Sequence, residues 1–361
     1  MRLQHISDAL IYKKEYGELR LLCGSGVKDM DSERLDLKLL TLRPEGKTST
    51  HFHLRSETVL HVLKGVICLT GTRTVHLTEG HTVVVEVTER HCIENIGGED
   101  ALVMEAQAPP YRADDKFHSV EEFPLPSRAL GRFWKIDDKI KVKICGVKNL
   151  DSALECLRLG VDAIGIHAIG QHGLSEAFSM TEWLSLVPAE LSIFVLTDTR
   201  DWHVLQMLLA KTNCDTLQIQ GPTDFGLLDR LSRFMRASNR KIVKTVSAQD
   251  ETQIEELQHL AADLSRFVDA ILIDASDYGG TGRLHNWRLT KELKKNIQVP
   301  LIIAGGLTPS NCNEAIDRLR PYAIDVESGV EHWFFLSGRR FTAKNFGAVE
   351  RIVQIAGRKF F

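Results

Sequence analysis

The chain has 361 residues and a formal net charge of −3, with no long block of like charges. This balance argues against nucleic-acid binding and against a polybasic membrane surface, so we expect a small-molecule partner. The length exceeds that of one usual domain and predicts two.

The seven cysteines include no Cys-x-x-Cys pair, which argues against a zinc ribbon and against a disulfide scaffold. The first residues lack the apolar core of a signal peptide, and no apolar run reaches the length of a membrane span. We therefore expect reduced thiols, a cytoplasmic location and no membrane partner.

Residues 1–126 carry short apolar runs of strand length, separated by glycines and polar turns. The runs lie at 35–42, 59–63, 66–69, 83–87 and 102–105. Such closely spaced strands predict an all-β domain, an antiparallel barrel or a jelly roll. The prolines at 124 and 126 end this pattern, and we expect residues 127–139 to form a linker.

Three histidines of this region are candidate ligands of one metal ion. His51 and His53 are two residues apart on a predicted strand and therefore share one face, and a paired strand could bring His91 to the same point. The spacing resembles the two motifs of the cupin family. The positions that carry this resemblance, besides the three histidines, are Gly46, Glu57, Gly65, Gly80, Glu86, Thr88 and Asn95, although Glu86 and Thr88 stand where the family has proline and glycine.

The cupin resemblance implies a fourth ligand, Glu57, and pairing of two chains through their sheet edges. Alignment on Gly65 places Thr58 at the usual glutamate position, so Glu57 can ligate only if a bulge or a shifted turn moves it. Imidazole ligands suit zinc, iron, nickel and manganese alike, so a divalent metal is expected without further identification. The alternative is a barrel with packing histidines and no metal.

From residue 140 to 361 the pattern changes to alternating strands and helices. Eight strands are predicted, at 142–145, 163–166, 193–196, 216–220, 242–246, 270–274, 301–304 and 323–326. Helices are predicted at 151–159, 202–211, 227–236, 251–266 and 287–296. This order predicts an α/β domain, a closed (β/α)₈ TIM barrel. An open doubly wound sheet is disfavoured because no Gly-x-Gly-x-x-Gly follows the first strand.

Catalytic groups of such barrels lie at the carboxyl ends of the strands. Cys145, Gln220 and Asp274 end predicted strands, and Asp325 lies in the eighth, so we expect all four at one site. A thiol removes a proton only as a thiolate, and Lys143, on the same face of the first strand, is expected to favour that form and to contact substrate.

Two glycine-containing turns follow strands seven and eight, at Gly305 and Gly306 and at Ser328 and Gly329. Bare backbone amides at these two turns are the usual phosphate site of a TIM barrel. A further glycine-rich stretch at 279–282 includes Gly280, which we expect to cover the bound ligand.

Several motifs of the barrel occur together in order. They are Lys-Ile-Cys-Gly at 143–146, Gln-Gly at 220–221, Ile-Asp at 273–274, Gly-Gly-Thr-Gly at 279–282 and Asp-Val-Glu-Ser-Gly-Val-Glu at 325–331. Together they resemble phosphoribosylanthranilate isomerase of tryptophan biosynthesis. The resemblance implies Cys145 as general base and Asp274 as general acid of a cofactor-free, Amadori-type aldose–ketose rearrangement.

One departure from that family is informative. The family carries Ser-Pro-Arg after strand two, and its arginine holds the anthranilate carboxylate, whereas residues 170–174 contain no arginine. We therefore expect an isomerase of another phosphorylated sugar or aminosugar, fused to a metal-binding cupin and serving a specialised pathway. The alternatives are a true phosphoribosylanthranilate isomerase, a metal-dependent cupin enzyme (sugar epimerase, isomerase or oxygenase) with a scaffold barrel, and a non-catalytic sugar-phosphate sensor.

Overall fold

The computed structural model describes residues 9–24, 35–53, 55–71, 73–110, 116–117, 129–248, 254–274, 286–336 and 339–357. The chain divides into two compact units, Met1–Phe123 with Leu174–Ser179, and Pro124–Gly173 with Met180–Phe361. The predicted domain boundary at residue 126 lies outside the described residues. Among the helices of the described ranges, none is long and apolar enough to cross a membrane.

The N-terminal unit is built from short antiparallel strands. They are β1 (Leu10–Lys14), β2 (Gly17–Cys23), β3 (Asp36–Leu42), β4 (Phe52–His53), β5 (Glu57–Lys64), β6 (Val66–Thr70), β7 (Thr74–Thr78), β8 (Thr82–Val85), β9 (Cys92–Asn95), β10 (Ala101–Ala108) and β11 (Lys116–Phe117). One six-stranded sheet has the order β1-β2-β3-β10-β5-β8, a second sheet the order β7-β6-β9, and β11 pairs with β4.

The core of this unit lies between the two larger sheets. On β5 every second side chain is buried, namely Thr58, Leu60 and Val62, as expected for a strand with one face inward. Leu60 and Val62 pack with Ile67 and Leu69 of β6 in one apolar cluster. The prediction of an all-β fold for this region is confirmed.

The C-terminal unit contains a closed barrel of eight parallel strands. They are β12 (Lys141–Ile144), β13 (Ala163–Ala168), β14 (Ser192–Thr197), β15 (Thr216–Ile219), β16 (Lys241–Ser247), β17 (Ala270–Asp274), β18 (Leu301–Ile303) and β19 (Ala323–Val326). Each strand pairs with the next, and β19 pairs with β12, so the sheet has no free edge. The predicted (β/α)₈ barrel is confirmed.

Helices connect the strands of the barrel. They are α1 (Leu150–Leu159), α2 (Gly170–Ser179), α3 (Thr181–Leu184), α4 (Trp202–Lys211), α5 (Phe225–Ala237), α6 (Ile254–Leu264), α7 (Trp287–Lys294), α8 (Cys312–Leu319) and α9 (Phe346–Ala356). A hairpin, β20 (Glu331–Leu336) with β21 (Arg339–Lys344), stands between β19 and α9. The five predicted helices correspond to α1, α4, α5, α6 and α7, whereas α2, α3, α8, α9 and this hairpin were not predicted. Gly170 and Gly173 are poor helix formers, which hid α2, and an inserted hairpin breaks the β/α alternation.

Local sequence fixes where several helices begin and end. The Asn149 side chain accepts a hydrogen bond from the Ser152 amide at the start of α1, and Asp201 and Asn345 cap α4 and α9 in the same way. Helix α1 ends at Gly160, whose φ of 96° is a left-handed conformation that suits glycine. The first strand is therefore followed by a helix with defined limits, as the barrel requires.

Part of the predicted linker packs inside the barrel. Residues Arg132–Trp134 form a 3₁₀ turn at the amino-terminal ends of the strands. The Gly131 amide donates to Asp215 Oδ2 at 3.1 Å, and Trp134 Nε1 donates to Thr216 Oγ1 at 2.8 Å. Phe133 is fully buried, with its ring 4.8 Å from the Phe194 ring, so this turn closes the end of the barrel opposite the carboxyl ends of the strands.

We expect Phe133→Ala to lower the free energy of unfolding of the barrel by about 3–5 kcal/mol, because it leaves a cavity among side chains that cannot collapse into it. Chemical denaturation of the full chain measures the change. The control is Phe225→Ala on α5, since Phe225 is 39% exposed and should cost about 1 kcal/mol or less. Equal effects of the two substitutions would show that residues 131–134 do not belong to the barrel core.

Candidate functional site

A cavity of about 300 Å³ lies at the carboxyl-terminal ends of the barrel strands. Seven of the residues predicted for the site line it, namely Cys145, Gln220, Asp274, Gly305, Gly306, Asp325 and Ser328. Its lining also includes His167 and Glu327, which were not predicted from the sequence. Gly280 lies outside the described residues.

Cys145 follows β12 directly and is 1% exposed as a residue. The neighbouring strand leaves room for its sulfur because it carries Gly165: a Cβ at that position would lie 2.6 Å from Cys145 Sγ. The sulfur is 3.3 Å from His167 Nε2, so the thiol faces an imidazole at the edge of the cavity.

His167 also contacts Glu327, whose Oε2 lies 3.3 Å from the same Nε2 atom. Negative charge on Cys145, together with Glu327, outweighs burial and raises the pKa of His167 to about 11. Burial alone would raise the pKa of Glu327, but the hydrogen bond and charge of His167 lower it to about 2. Side chains of Cys145, His167 and Glu327 thus form one cluster.

A period of two could have identified both missed residues. His167 is two positions beyond Gly165 on β13, and Glu327 is two positions beyond Asp325, so each faces the barrel interior. The predicted second strand ended at residue 166, one position before His167, and this early end hid the histidine.

Lys143 lies deeper than predicted. It is fully buried, and its Nζ is 2.5 Å from Asp325 Oδ2 and 5.3 Å from the centre of the Phe194 ring. Burial alone would lower the pKa of Lys143, but the Asp325 carboxylate outweighs it and raises that pKa. Lys143 does not line the cavity, and the side chain that contacts the Cys145 sulfur at 3.3 Å is His167, which was not predicted.

Two turns at the carboxyl ends of β18 and β19 are held together. Gly305 and Gly306 have φ values of 83° and 64°, a left-handed conformation that suits glycine, and Asn311 Nδ2 donates to Gly306 O at 2.9 Å. A Cβ on Gly329 would lie 1.9 Å from Leu307 O. Gly329 therefore allows the two turns to touch, and Ser328 beside it lines the cavity.

Asp274 and Gln220 stand at the carboxyl ends of two barrel strands, β17 and β15, that are separated by β16. Asp274 is the last residue of β17 and is 7% exposed, and Gln220 follows β15 and is 1% exposed. Arg200 Nη2 donates to the Gln220 carbonyl at 2.7 Å, which fixes the backbone there. Gln220 Oε1 is buried and accepts no hydrogen bond from the part of the chain that the structure describes.

The N-terminal unit brings His51, His53 and His91 together. All three are buried, and their candidate ligand atoms lie within 4.8 Å of one another. Nδ1 of His51 is 2.7 Å from Ser49 O, and Nδ1 of His91 is 3.0 Å from Glu89 O. These backbone carbonyls orient the two rings and leave Nε2 of each for a metal ion.

Burial favours the neutral form of two imidazoles in this cluster, those of His51 and His91. Burial, helped by the neighbouring His91, lowers the pKa of His51 to about 2, and burial also lowers the pKa of His91. Neutral imidazole is the form that binds metals.

Glu57 does not join the three histidines. It is exposed, whereas Thr58 is buried and accepts a hydrogen bond from Gln107 Nε2 at 3.2 Å. The one-residue offset seen in the sequence therefore turns Glu57 outward, and the described strand has no bulge at this position to correct it. Glu105 on β10 lines the histidine cavity of about 440 Å³ instead, 2.9 Å from Lys38 Nζ.

Comparison with known proteins identifies the barrel. The family model described as "N-(5'phosphoribosyl)anthranilate (PRA) isomerase" matches residues 142–333, more than half of the chain. An N-(5'-phosphoribosyl)anthranilate isomerase of Geobacter metallireducens is 33% identical over 212 residues, which cover 57% of this chain and 95% of that protein. The predicted enzyme class, an intramolecular isomerase of the aldose–ketose type, is confirmed.

Solved structures show weaker likenesses. Phosphoribosyl anthranilate isomerase from Thermotoga maritima is 25% identical, with a TM-score of 0.49, over 60% of this chain and 98% of that one. Oxalate decarboxylase from Lactobacillus farciminis, in a formate complex, is 18% identical, with a TM-score of 0.29, over 33% of this chain and 36% of that one. At these scores the structural likenesses add nothing to the sequence match.

The family match corrects one prediction. The missing arginine at 170–174 led us to expect an isomerase of a sugar phosphate other than phosphoribosylanthranilate. That prediction is wrong, because the matching relatives are named for phosphoribosylanthranilate isomerisation and align over almost their whole length. This chain belongs to the N-(5'-phosphoribosyl)anthranilate isomerase family.

Proposed function

We propose that the barrel converts N-(5'-phosphoribosyl)anthranilate into the corresponding 1-amino-1-deoxyketose phosphate by an Amadori-type rearrangement. One observation carries the proposal: Cys145 and Asp274, on strands one and six, face a single cavity that is also lined by the turns at Gly305, Gly306 and Ser328. A base, an acid and a phosphate anchor at the carboxyl ends of the strands are what this reaction needs. No cofactor enters the chemistry.

Asp274 would act first, as the general acid. It would protonate the ring oxygen of the ribose, and the ring would open to an iminium at C1. Cys145, as thiolate, would then remove the proton from C2, and the electron pair of that C–H bond would neutralise the iminium and leave an enolamine. The enolamine tautomerises to the ketose, so the atoms and charges balance without an external reagent.

The phosphate would bind at the two glycine turns. Left-handed Gly305 and Gly306 present backbone N–H groups without side chains in front of them, and Ser328 begins a 3₁₀ turn that offers further amides. With the phosphate held there, the sugar lies across the cavity between Cys145 and Asp274. Binding at the phosphate thus positions C1 and C2 for the acid and the base.

We expect Cys145→Ala and Asp274→Asn each to lower kcat by about 10²–10⁴-fold, because each removes one partner of proton transfer. Turnover of phosphoribosylanthranilate, followed by its loss of fluorescence, measures the effect. The control is Cys156→Ala, since Cys156 is as buried as Cys145 but lies on α1, away from the cavity. Full activity of either site variant would contradict the assigned roles.

We expect Gly329→Ala to raise KM about tenfold or more, since the new methyl group collides with Leu307 O and separates the phosphate turns. Steady-state kinetics with inorganic phosphate as competitor gives KM and the inhibition constant together, and both should rise. Gly347→Ala at the start of α9 is the control, because its Cβ meets nothing closer than 3.5 Å. Unchanged KM in Gly329→Ala would place the phosphate elsewhere.

We infer further that His51, His53 and His91 hold a divalent metal ion in the N-terminal unit. The donor set fits, because three buried imidazoles converge and two of them are oriented by backbone carbonyls. When bound, such a metal polarises an oxygen of a ligand or activates water. Lys38, Glu105 and Gln107 line the same cavity and would orient a polar ligand beside it.

We expect His91→Ala to bind about one metal ion per chain fewer than the wild type, because a three-histidine site loses most of its affinity with one ligand. Elemental analysis after incubation with zinc and desalting measures this number. His61→Ala is the control, since His61 lies on β5 and bonds to Thr82 Oγ1 outside the cluster. Equal metal content in all three proteins would rule out the site.

Occupation of both sites would make the chain bifunctional. Pairing of two chains is supported by β1, which ends the six-stranded sheet and exposes Leu10, Ile11 and Tyr12 by 43%, 47% and 45%. That dimer and the cytoplasmic location stay predictions.

A further inference from the structure

Three donor atoms of different chemistry converge at the edge of the barrel cavity. Cys145 Sγ and Glu327 Oε2 each lie 3.3 Å from one and the same atom, His167 Nε2. The three side chains come from β12, from β13 and from the residue after β19, which are neighbours around the barrel. The proposed isomerisation gives His167 and Glu327 no role.

Hydrogen bonding alone accounts poorly for this arrangement. One ring nitrogen carries at most one proton, so it would have to share that proton between a sulfur and a carboxylate oxygen. Coordination accounts for it better. With Zn–S of about 2.3 Å and Zn–N and Zn–O of about 2.0–2.2 Å, tetrahedral donors lie about 3.3–3.7 Å apart. The two distances from His167 Nε2, both 3.3 Å, are close to this range.

We propose that Cys145, His167 and Glu327 form a second divalent-metal site, at the carboxyl-terminal end of the barrel. A thiolate, an imidazole and a carboxylate together suit a borderline cation such as Zn²⁺ and not Mg²⁺ or Ca²⁺, which prefer oxygen ligands. Three protein ligands leave a fourth position open toward the cavity, as in sites where a metal meets a ligand.

Local charge and space agree with this site. The thiolate and the carboxylate together balance a dication, and the two nearby lysines are already paired: Lys143 with Asp325 at 2.5 Å and Lys344 with Glu331 at 2.6 Å. Room for the sulfur depends on Gly165. Room for the Glu327 carboxylate depends on Gly146, where a Cβ would lie 2.7 Å from Oε1.

A metal ion at this site would oppose isomerisation, a consequence that rests on the proposed function. Binding displaces the thiol proton to solvent, and the sulfur electron pair that would remove the C2 proton is then used in the metal–sulfur bond. Zinc is therefore expected to inhibit turnover, and substrate and metal are expected to compete.

Cobalt(II) distinguishes this site from the three-histidine site, because only a thiolate ligand gives an intense sulfur-to-cobalt charge-transfer band in the near ultraviolet. Full-length protein is stripped with EDTA and titrated with Co²⁺. We expect the band in the wild type, in His51→Ala and in Cys156→Ser. We expect its loss in Cys145→Ser. We expect at least a tenfold weaker Co²⁺ affinity in His167→Ala, which removes the imidazole ligand, and in Glu327→Gln, which removes the carboxylate ligand.

Two results would overturn the proposal: no charge-transfer band in the wild type, or a band that survives in Cys145→Ser. The spectrum does not require turnover, so it is independent of the proposed function. If the protein shows the band but does not isomerise phosphoribosylanthranilate, the metal site is supported and the proposed function is wrong. If it isomerises the substrate but shows no band, the proposed function is supported and the metal site is wrong. Where both hold, His167→Ala should raise the zinc concentration for half-inhibition about tenfold or more.

Discussion

The buried ion pair between Lys143 and Asp325 is the constraint on which the barrel site depends. Lys143 is fully buried and Asp325 is 8% exposed, so neither charge could stay there without the other. The two residues are direct partners on β12 and β19, the first and last strands, and their pairing closes the barrel. Because side chains alternate, Cys145 and Glu327, each two residues further on, must face the same interior one layer nearer the cavity. The ion pair thus fixes the two strands that carry Cys145 and Glu327.

Sequence periodicity was sufficient to predict the barrel fold of the C-terminal unit. It did not predict how deeply each inward-facing side chain is buried. The alternation of strands and helices predicted eight strands, and the strand ends placed Cys145, Gln220 and Asp274 around one cavity. Periodicity states which face a side chain occupies, not whether it lines a cavity or is sealed below it. Lys143 was therefore taken for a substrate contact, since its partner Asp325 is 182 positions away in the sequence. His167 was missed for a local reason, because the strand continues past the last β-branched residue.

In the N-terminal unit, too, the sequence predicted which face of a strand a side chain occupies but not which residues of paired strands lie opposite each other. The two-residue spacing of His51 and His53 predicted a shared face with His91 brought to it by a paired strand, and the structure makes that pairing as a β-bridge between His51 and His91. The fourth polar group could not be predicted, because it comes from another strand. Glu105 on β10 stands opposite Lys38 on β3 in an antiparallel register that no local motif encodes. Their opposite charges allow both to be buried: burial alone would raise the pKa of Glu105, and Lys38 lowers it.

The substrate prediction was wrong because it rested on a single binding contact, the arginine that is missing from residues 170–174. A charge-assisted hydrogen bond is usually worth about 1.5–3 kcal/mol, or about 10–150-fold in affinity. Such a loss lowers the affinity for a substrate carboxylate, but it does not remove either group of the proposed proton transfers. In the proposed mechanism the chemistry depends instead on groups fixed by strands and tight turns: Cys145 and Asp274 at strand ends, with Gly329 allowing two turns to touch. The start of α2, which follows β13 and holds residues 170–174, can therefore vary without removing any of those groups, because none of them lies on it.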